Sequence, residues 1–211
     1  MAGPNGADAE LFRLARSIAA GDSAAALQTL TTRRDLARAS FAAGATRQDP
    51  QSWFLDAIGH YIYAGDTALH IAAAAYATNI ARQLIAAAAD VRARNRRGVE
   101  PLHLASMGTP GGHHWNPEAQ VATIASLIEA GADPNALDSG GVAPLHRAVR
   151  TRCAAAVEAL LEGGADAKLK NKSGSTPMML AKMTTGRGGS GSIAARAEQQ
   201  EIVRLLRNYK A

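Results

Sequence analysis

Apolar positions along this chain come in short bursts at helical spacing, separated by turn-forming residues. Leu11, Leu14 and Ile18 fall on one helical stripe, Gly21 and Asp22 interrupt it, and Leu27 and Leu30 carry an apolar face beyond the break. Ile202, Val203, Leu205 and Leu206 form a closing stripe near the other end, with Arg204 and Arg207 on its outward side. The stretch from Thr31 to Ala64 differs from the rest, because it holds Phe41, Trp53, Phe54, Tyr61 and Tyr63, most of the chain's few aromatic residues. It is expected to form a short helix near Gln51 to Ile58 and then to run extended into a turn at Thr67.

From residue 65 onward the pattern repeats. Thr67-Ala-Leu-His70, Glu100-Pro-Leu-His103, Ala143-Pro-Leu-His146 and Thr176-Pro-Met-Met179 are variants of one tetrapeptide, with starts 33, 43 and 33 residues apart. A second marker, Ala88-Ala-Asp90, Gly131-Ala-Asp133 and Gly164-Ala-Asp166, recurs at spacings of 43 and 33. Both markers stretch at the same place, so the period is 33 with ten extra residues between His103 and Gly131. A hydroxyl or carboxylate before proline caps a helix whose first residue needs no N–H donor. Leu69, Ala72 and Ala73 are small or regular enough for neighbouring helices to approach closely. Glycine after the second helix tolerates the left-handed conformation that ends it, and Ala88 stands where the other units carry that glycine.

These residues resemble the ankyrin repeat, a β-turn finger followed by two antiparallel helices. The resemblance is strong over residues 65 to 211 and weak over residues 10 to 46. It implies an all-α solenoid with short β-turn or hairpin fingers and about four full or near-full repeats, at 65–97, 98–140, 141–173 and 174–211. A tail at 1–9 and a degenerate capping repeat at 10–64 precede them, all in one continuous domain. No single repeat can bury its own face, so stacking supplies the core.

Composition narrows the function. Hydrophobic residues reach 47% but aromatics only 4%, which suits thin stacked helices better than one thick core. No apolar run approaches the ~20 residues of a membrane helix, and Met1 to Glu10 lacks the layout of a secretory leader. Cys153 is the single cysteine, which rules out an internal disulfide and argues against a cysteine-based zinc site. These features lead to the expectation of a monomeric cytoplasmic protein without a metal or cofactor. The net charge of +5, mostly from arginine, favours acidic partners.

The resemblance implies binding through the fingers and the concave face of the first helices, hence a macromolecular partner, and the fingers are basic. Arg92, Arg94 and Arg96 alternate along one, and Lys168, Lys170 and Lys172 along another, so an extended backbone would place each trio on one face. The inserted aromatics Trp53, Tyr61 and Tyr63 either add to that surface or cover the open end of the stack. A nucleic-acid partner is disfavoured, because the fingers lack interleaved aromatics for stacking on bases.

A second reading places a small anion at one edge of the stack. Two repeats are lengthened at the turn between their helices, at 108–117 and 184–192, and the short turn Arg150 to Cys153 lies between them. Aligned along one edge, the three turns would gather His113, His114, Trp115, Arg150, Arg152, Arg187, Gly188, Gly189 and Ser190. Glycine-rich backbone, a following helix N-terminus and forked arginines suit a phosphate, nucleotide or carboxylate. No Lys-Ser or Lys-Thr pair follows the glycines, so nucleotide hydrolysis is not expected. His70, His103 and His146 belong to the repeat, which leaves Cys153, flanked by Arg150 and Arg152, as the one conceivable nucleophile. No orienting partner for it is evident, and the chain is not expected to be an enzyme.

Overall fold

The computed structural model describes residues 7–113, 115–183 and 193–209. Within them the chain forms paired helices: α1 (Ala7–Ala19) with α2 (Ser23–Thr32), α3 (Ala68–Ala74) with α4 (Thr78–Ala86), α5 (Pro101–Ala105) with α6 (Pro117–Glu129), α7 (Pro144–Thr151) with α8 (Ala154–Glu162), and α9 (Pro177–Ala181) with α10 (Ile193–Asn208). The first helices pack in one row, α1 on α3 on α5 on α7 on α9, and the second helices form another, α2 on α4 on α6 on α8 on α10. Ala68, Ala72, Ala73, Ala105 and Ala148 are fully buried, and side chains this small let neighbouring axes come close. No pair encloses a core of its own; one apolar cluster runs from Leu11 to Leu206.

The tetrapeptide starts each first helix. Thr67 Oγ1 accepts from the His70 N–H at 3.4 Å while His70 Nδ1 accepts from the Thr67 N–H at 3.1 Å, a reciprocal cap. Pro101, Pro144 and Pro177 take the first helical position, where a missing N–H costs nothing. The histidines also reach the next repeat. With Nδ1 accepting from the backbone, the proton sits on Nε2, which donates to Val99 O (2.9 Å) from His70, Val142 O (3.0 Å) from His103 and Ser175 O (3.2 Å) from His146. Each acceptor lies immediately before the next tetrapeptide. In the repeat at 174–211 Met179 holds this position and is half exposed.

The fingers are tied at equivalent points. The Oδ1 atoms of Asn95, Asp138 and Asn171 each accept two backbone N–H groups of their own finger, at 2.8–3.1 Å. Ahead of the first full repeat, the expected helix near Gln51 to Ile58 is replaced by a small hairpin. β1 (Phe54–Leu55) pairs antiparallel with β2 (His60–Tyr61), each of the turns Gln51–Trp53 and Asp56–Ile58 being a single 3₁₀ turn. The left-handed Gly59 (φ 60°) reverses the chain, and Phe54 stacks on its cross-strand partner Tyr61 with ring centroids 4.5 Å apart. Leu27 is also displaced from its expected role: it is 39% exposed, and Ala26 and Leu30 form the buried side of α2.

Two predictions follow from this architecture. Ala88 takes φ 63° where the equivalent Gly131 and Gly164 take 97° and 92°. An L-residue is strained there, so Ala88→Gly should stabilise the protein by about 1 kcal/mol, read as a raised urea midpoint. The second concerns acid. Burial lowers the pKa of all three bridging histidines, that of His103 to about 4. Between that value and the ordinary 6.5 the unfolded chain holds more protons than the folded one. Stability should therefore fall as pH drops from about 6.5 toward 4, by on the order of 3 kcal/mol from His103 alone. Buried Glu100, whose pKa is raised by burial, works in the opposite sense near the lower end of that window. Urea unfolding at stepped pH measures the net slope, and His103→Gln should flatten it.

Candidate functional site

The arginines of the first finger serve the stack itself. Arg92 lies 3.5 Å from Asp133 of the next finger. Arg94 pairs with Glu100 at 3.2 Å and donates to Leu137 O, and Arg96 donates to Ala45 O. Arg96 and Arg97 both lie over the ring of Tyr63, 5.2 and 5.0 Å from its centroid. All remain exposed, but their charges are matched or spread over neighbouring groups. Lys168, Lys170 and Lys172 differ: they are exposed, and none lies within 4 Å of a carboxylate among the described residues.

The inserted aromatics divide in the same way. Trp53 is 5% exposed and forms an edge-on triangle with Phe12 and Phe41, with centroids 6.0–6.4 Å apart. It cannot meet a partner, and the expectation that it belongs to the binding surface is corrected: a large ring is needed to fill the space between the first helix pair and the first full repeat. Tyr61 and Tyr63 stay half-buried, occupied by Phe54 and by the two arginines. Asp66 anchors this insertion to the stack. Burial alone would raise its pKa, but His60, His70 and the Tyr63 N–H outweigh that and hold it below the usual carboxylate range. Its oxygens accept from Tyr63 N at 2.7 Å and from Asn95 Nδ2 at 2.8 Å.

Where the insertion and the stack face each other, the hairpin leaves a cleft of about 790 Å³. The tip Asp56–His60 forms one wall and the loop after α5 forms the other, through Met107, Gly108, Thr109 and Trp115. Ala74, Ala75 and Leu104 lie between them. Among the described residues no lysine or arginine lines the cleft, and Asp56 is the only carboxylate. The cleft opens beside a row of equivalent positions along the first helices, each seven residues after the start of its tetrapeptide: Ala74, Met107, Arg150 and Met183. Met107 and Met183 are 37% and 47% exposed. Arg150 is exposed without a carboxylate partner among the described residues, and Arg147, one turn earlier, donates to Asp138 at 2.6 Å and to Met107 Sδ at 3.1 Å. That last pair of contacts joins the second finger to the helix row.

The short turn Thr151–Arg152 reaches both lengthened repeats, while the second lengthened turn, 184–192, lies outside the described residues. Gly108 N donates to Thr151 Oγ1 at 3.4 Å, and Arg152 Nη2 donates to Met183 O at 2.7 Å. Yet Arg152 is not an anion ligand. It is 2% exposed, takes φ 64°, and spends its guanidinium on Met183 O and, more weakly, on Ala181 O. Tyr76, at the equivalent position with φ 52°, likewise donates to Met107 O. Gln120 and Gln199 complete the two sets, reaching Ala105 O and Met107 O in one repeat and Ala181 O and Met183 O in the other. A lengthened turn leaves helix-end carbonyls open, and these side chains close them. Of the arginines expected there, Arg150 is exposed, and Trp115 is held by Nε1 donating to Gln120 Oε1 at 3.2 Å. His113 is exposed at the cleft, whereas His114, Arg187, Gly188, Gly189 and Ser190 lie outside the described residues.

Cys153 is not poised for nucleophilic attack. Burial pushes its thiol up to about 11, the opposite of the depression expected from flanking arginines, so the reactive thiolate is scarce at neutral pH. Tyr76, Met107, Ile58 and His60 were not singled out in the sequence. Only the interruption of the repeat between Thr31 and Ala64 hinted that another wall faced the helix row.

Comparison with known proteins agrees with the geometry. A family model for the ankyrin repeat matches residues 64–96, and one for ankyrin repeats in many copies matches residues 127–181. A search of curated proteins gave no match. No helix among the described residues is long and apolar enough to cross a membrane.

Proposed function

This chain is an ankyrin-repeat protein, and from that premise we propose that it binds a protein partner across its first-helix row and third finger. Proteins of this family are generally interaction modules without catalytic activity. The observation that carries the surface is a run of exposed cations without a carboxylate partner among the described residues, Lys168, Lys170 and Lys172 on the finger, with Arg150 on the helix row. On the first finger Arg92 and Arg94 are matched by carboxylates within the stack, so they add less to an encounter with an acidic surface. Cations in a row steer such an encounter and fix its register, and exposed methionines beside them supply adaptable apolar contact. A bare anion site at the lengthened turns is the weaker reading, because Arg152 is buried and already bonded.

Affinity capture followed by titration of the purified partner tests the proposal. Lys168→Glu/Lys170→Glu/Lys172→Glu should weaken binding at least about tenfold and reduce its salt dependence, while Arg92→Glu should have a smaller effect. Equal affinity of the triple variant and the native chain would remove the third finger from the interface.

A further inference from the structure

We infer that the cleft under the hairpin holds the apolar anchor of a short acidic segment of the partner, whose carboxylates continue along the helix row to Arg150; this rests on the interaction reading above. The cleft's size falls within the range of about 300–1,000 Å³ typical of sites that enclose a ligand group, at about 790 Å³. Its lining is mostly alanine, glycine, Ile58, Leu104 and Met107, which offers space and apolar contact with few fixed hydrogen bonds. A large aliphatic or aromatic side chain fits that chemistry.

Charge decides the rest of the segment. A carboxylate inside the cleft would meet Asp56 and find no lysine or arginine among the described residues of the walls. One repeat further along the row the situation reverses, with Arg150 exposed and unpaired among the described residues and the lysine finger beyond it. Anchor and carboxylates are therefore separated by about the spacing of one repeat. An extended chain advances ~3.3 Å per residue, so three residues or so bridge neighbouring helices whose axes lie ~10 Å apart. A second copy of this chain is a poor occupant, since both copies carry a net charge of +5.

The test uses the full 211-residue chain. Random twelve-residue peptides displayed on phage are selected against it, and a winning peptide is synthesised with a fluorescent label and titrated by polarisation. Ala57→Trp and Ala20→Trp fill the cleft from exposed positions of its wall, so both should fold with unchanged thermal melting. The expected winners carry one large apolar residue followed or preceded at short range by two or more carboxylates. Each tryptophan variant should weaken the winner at least tenfold, and Arg150→Glu should weaken it comparably and flatten its salt dependence. Winners without carboxylates, or winners bound equally by both tryptophan variants, would overturn the assignment. So would selection that enriches a small uncharged motif insensitive to Arg150→Glu, or that enriches nothing. In each of those cases the broader interaction reading is judged separately, by the lysine-finger titration.

Discussion

The histidine that ends each tetrapeptide carries the rest of this structure. Its Nδ1 closes the cap of its own helix, and that bond fixes the proton on Nε2, aimed at a carbonyl of the following repeat. One ring thus sets the start of a helix and the register of its neighbour. A repeat of this size cannot bury enough surface to fold alone. Stacking must be specified by something directional, and a buried, neutral imidazole with both nitrogens satisfied does that without placing a charge in the core. Where Met179 takes this position, the side chain is half exposed and makes no such bridge among the described residues.

The two lengthened repeats show how a regular stack absorbs an irregularity. Each is preceded by a turn with a large residue at positive φ, Tyr76 or Arg152, where glycine would be unstrained. Each large side chain donates to the carbonyl just before the lengthened turn, Met107 O or Met183 O, and a glutamine from the second helix donates to the same atom. Backbone strain is offset by satisfying acceptors that the insertion exposes. The device keeps the rim at Met107 in place, and Met107 is where cleft and helix row meet.

The fold was legible because two markers recur in one register, and the packing that follows from them is local. His70, His103 and His146 could be placed by spacing alone. Trp53 and Arg152 could not. Whether a ring or a guanidinium faces solvent depends on what packs over it: Phe12 and Phe41 in one case, the carbonyls of Ala181 and Met183 in the other. The hairpin was hidden for a related reason, since strands of two residues show no alternation to read and Gly59 alone marks the reversal. Arg92 and Lys168 look alike in sequence; a carboxylate on the adjacent finger separates them.

What remains open at the surface is a strip of apolar and cationic groups, Met107, Arg150 and Met183, bordered by a cleft at one end and, on the finger side, by lysines without a carboxylate partner among the described residues. Methionine methyl groups report on this strip directly. In a sample labelled with ¹³C at the methionine methyls and titrated with the captured partner, the account predicts that Met107 and Met183 shift together as the complex saturates while Met179, outside the strip, stays put. A saturated complex in which Met107 and Met183 do not move would contradict it, because the partner would then be bound on some other face.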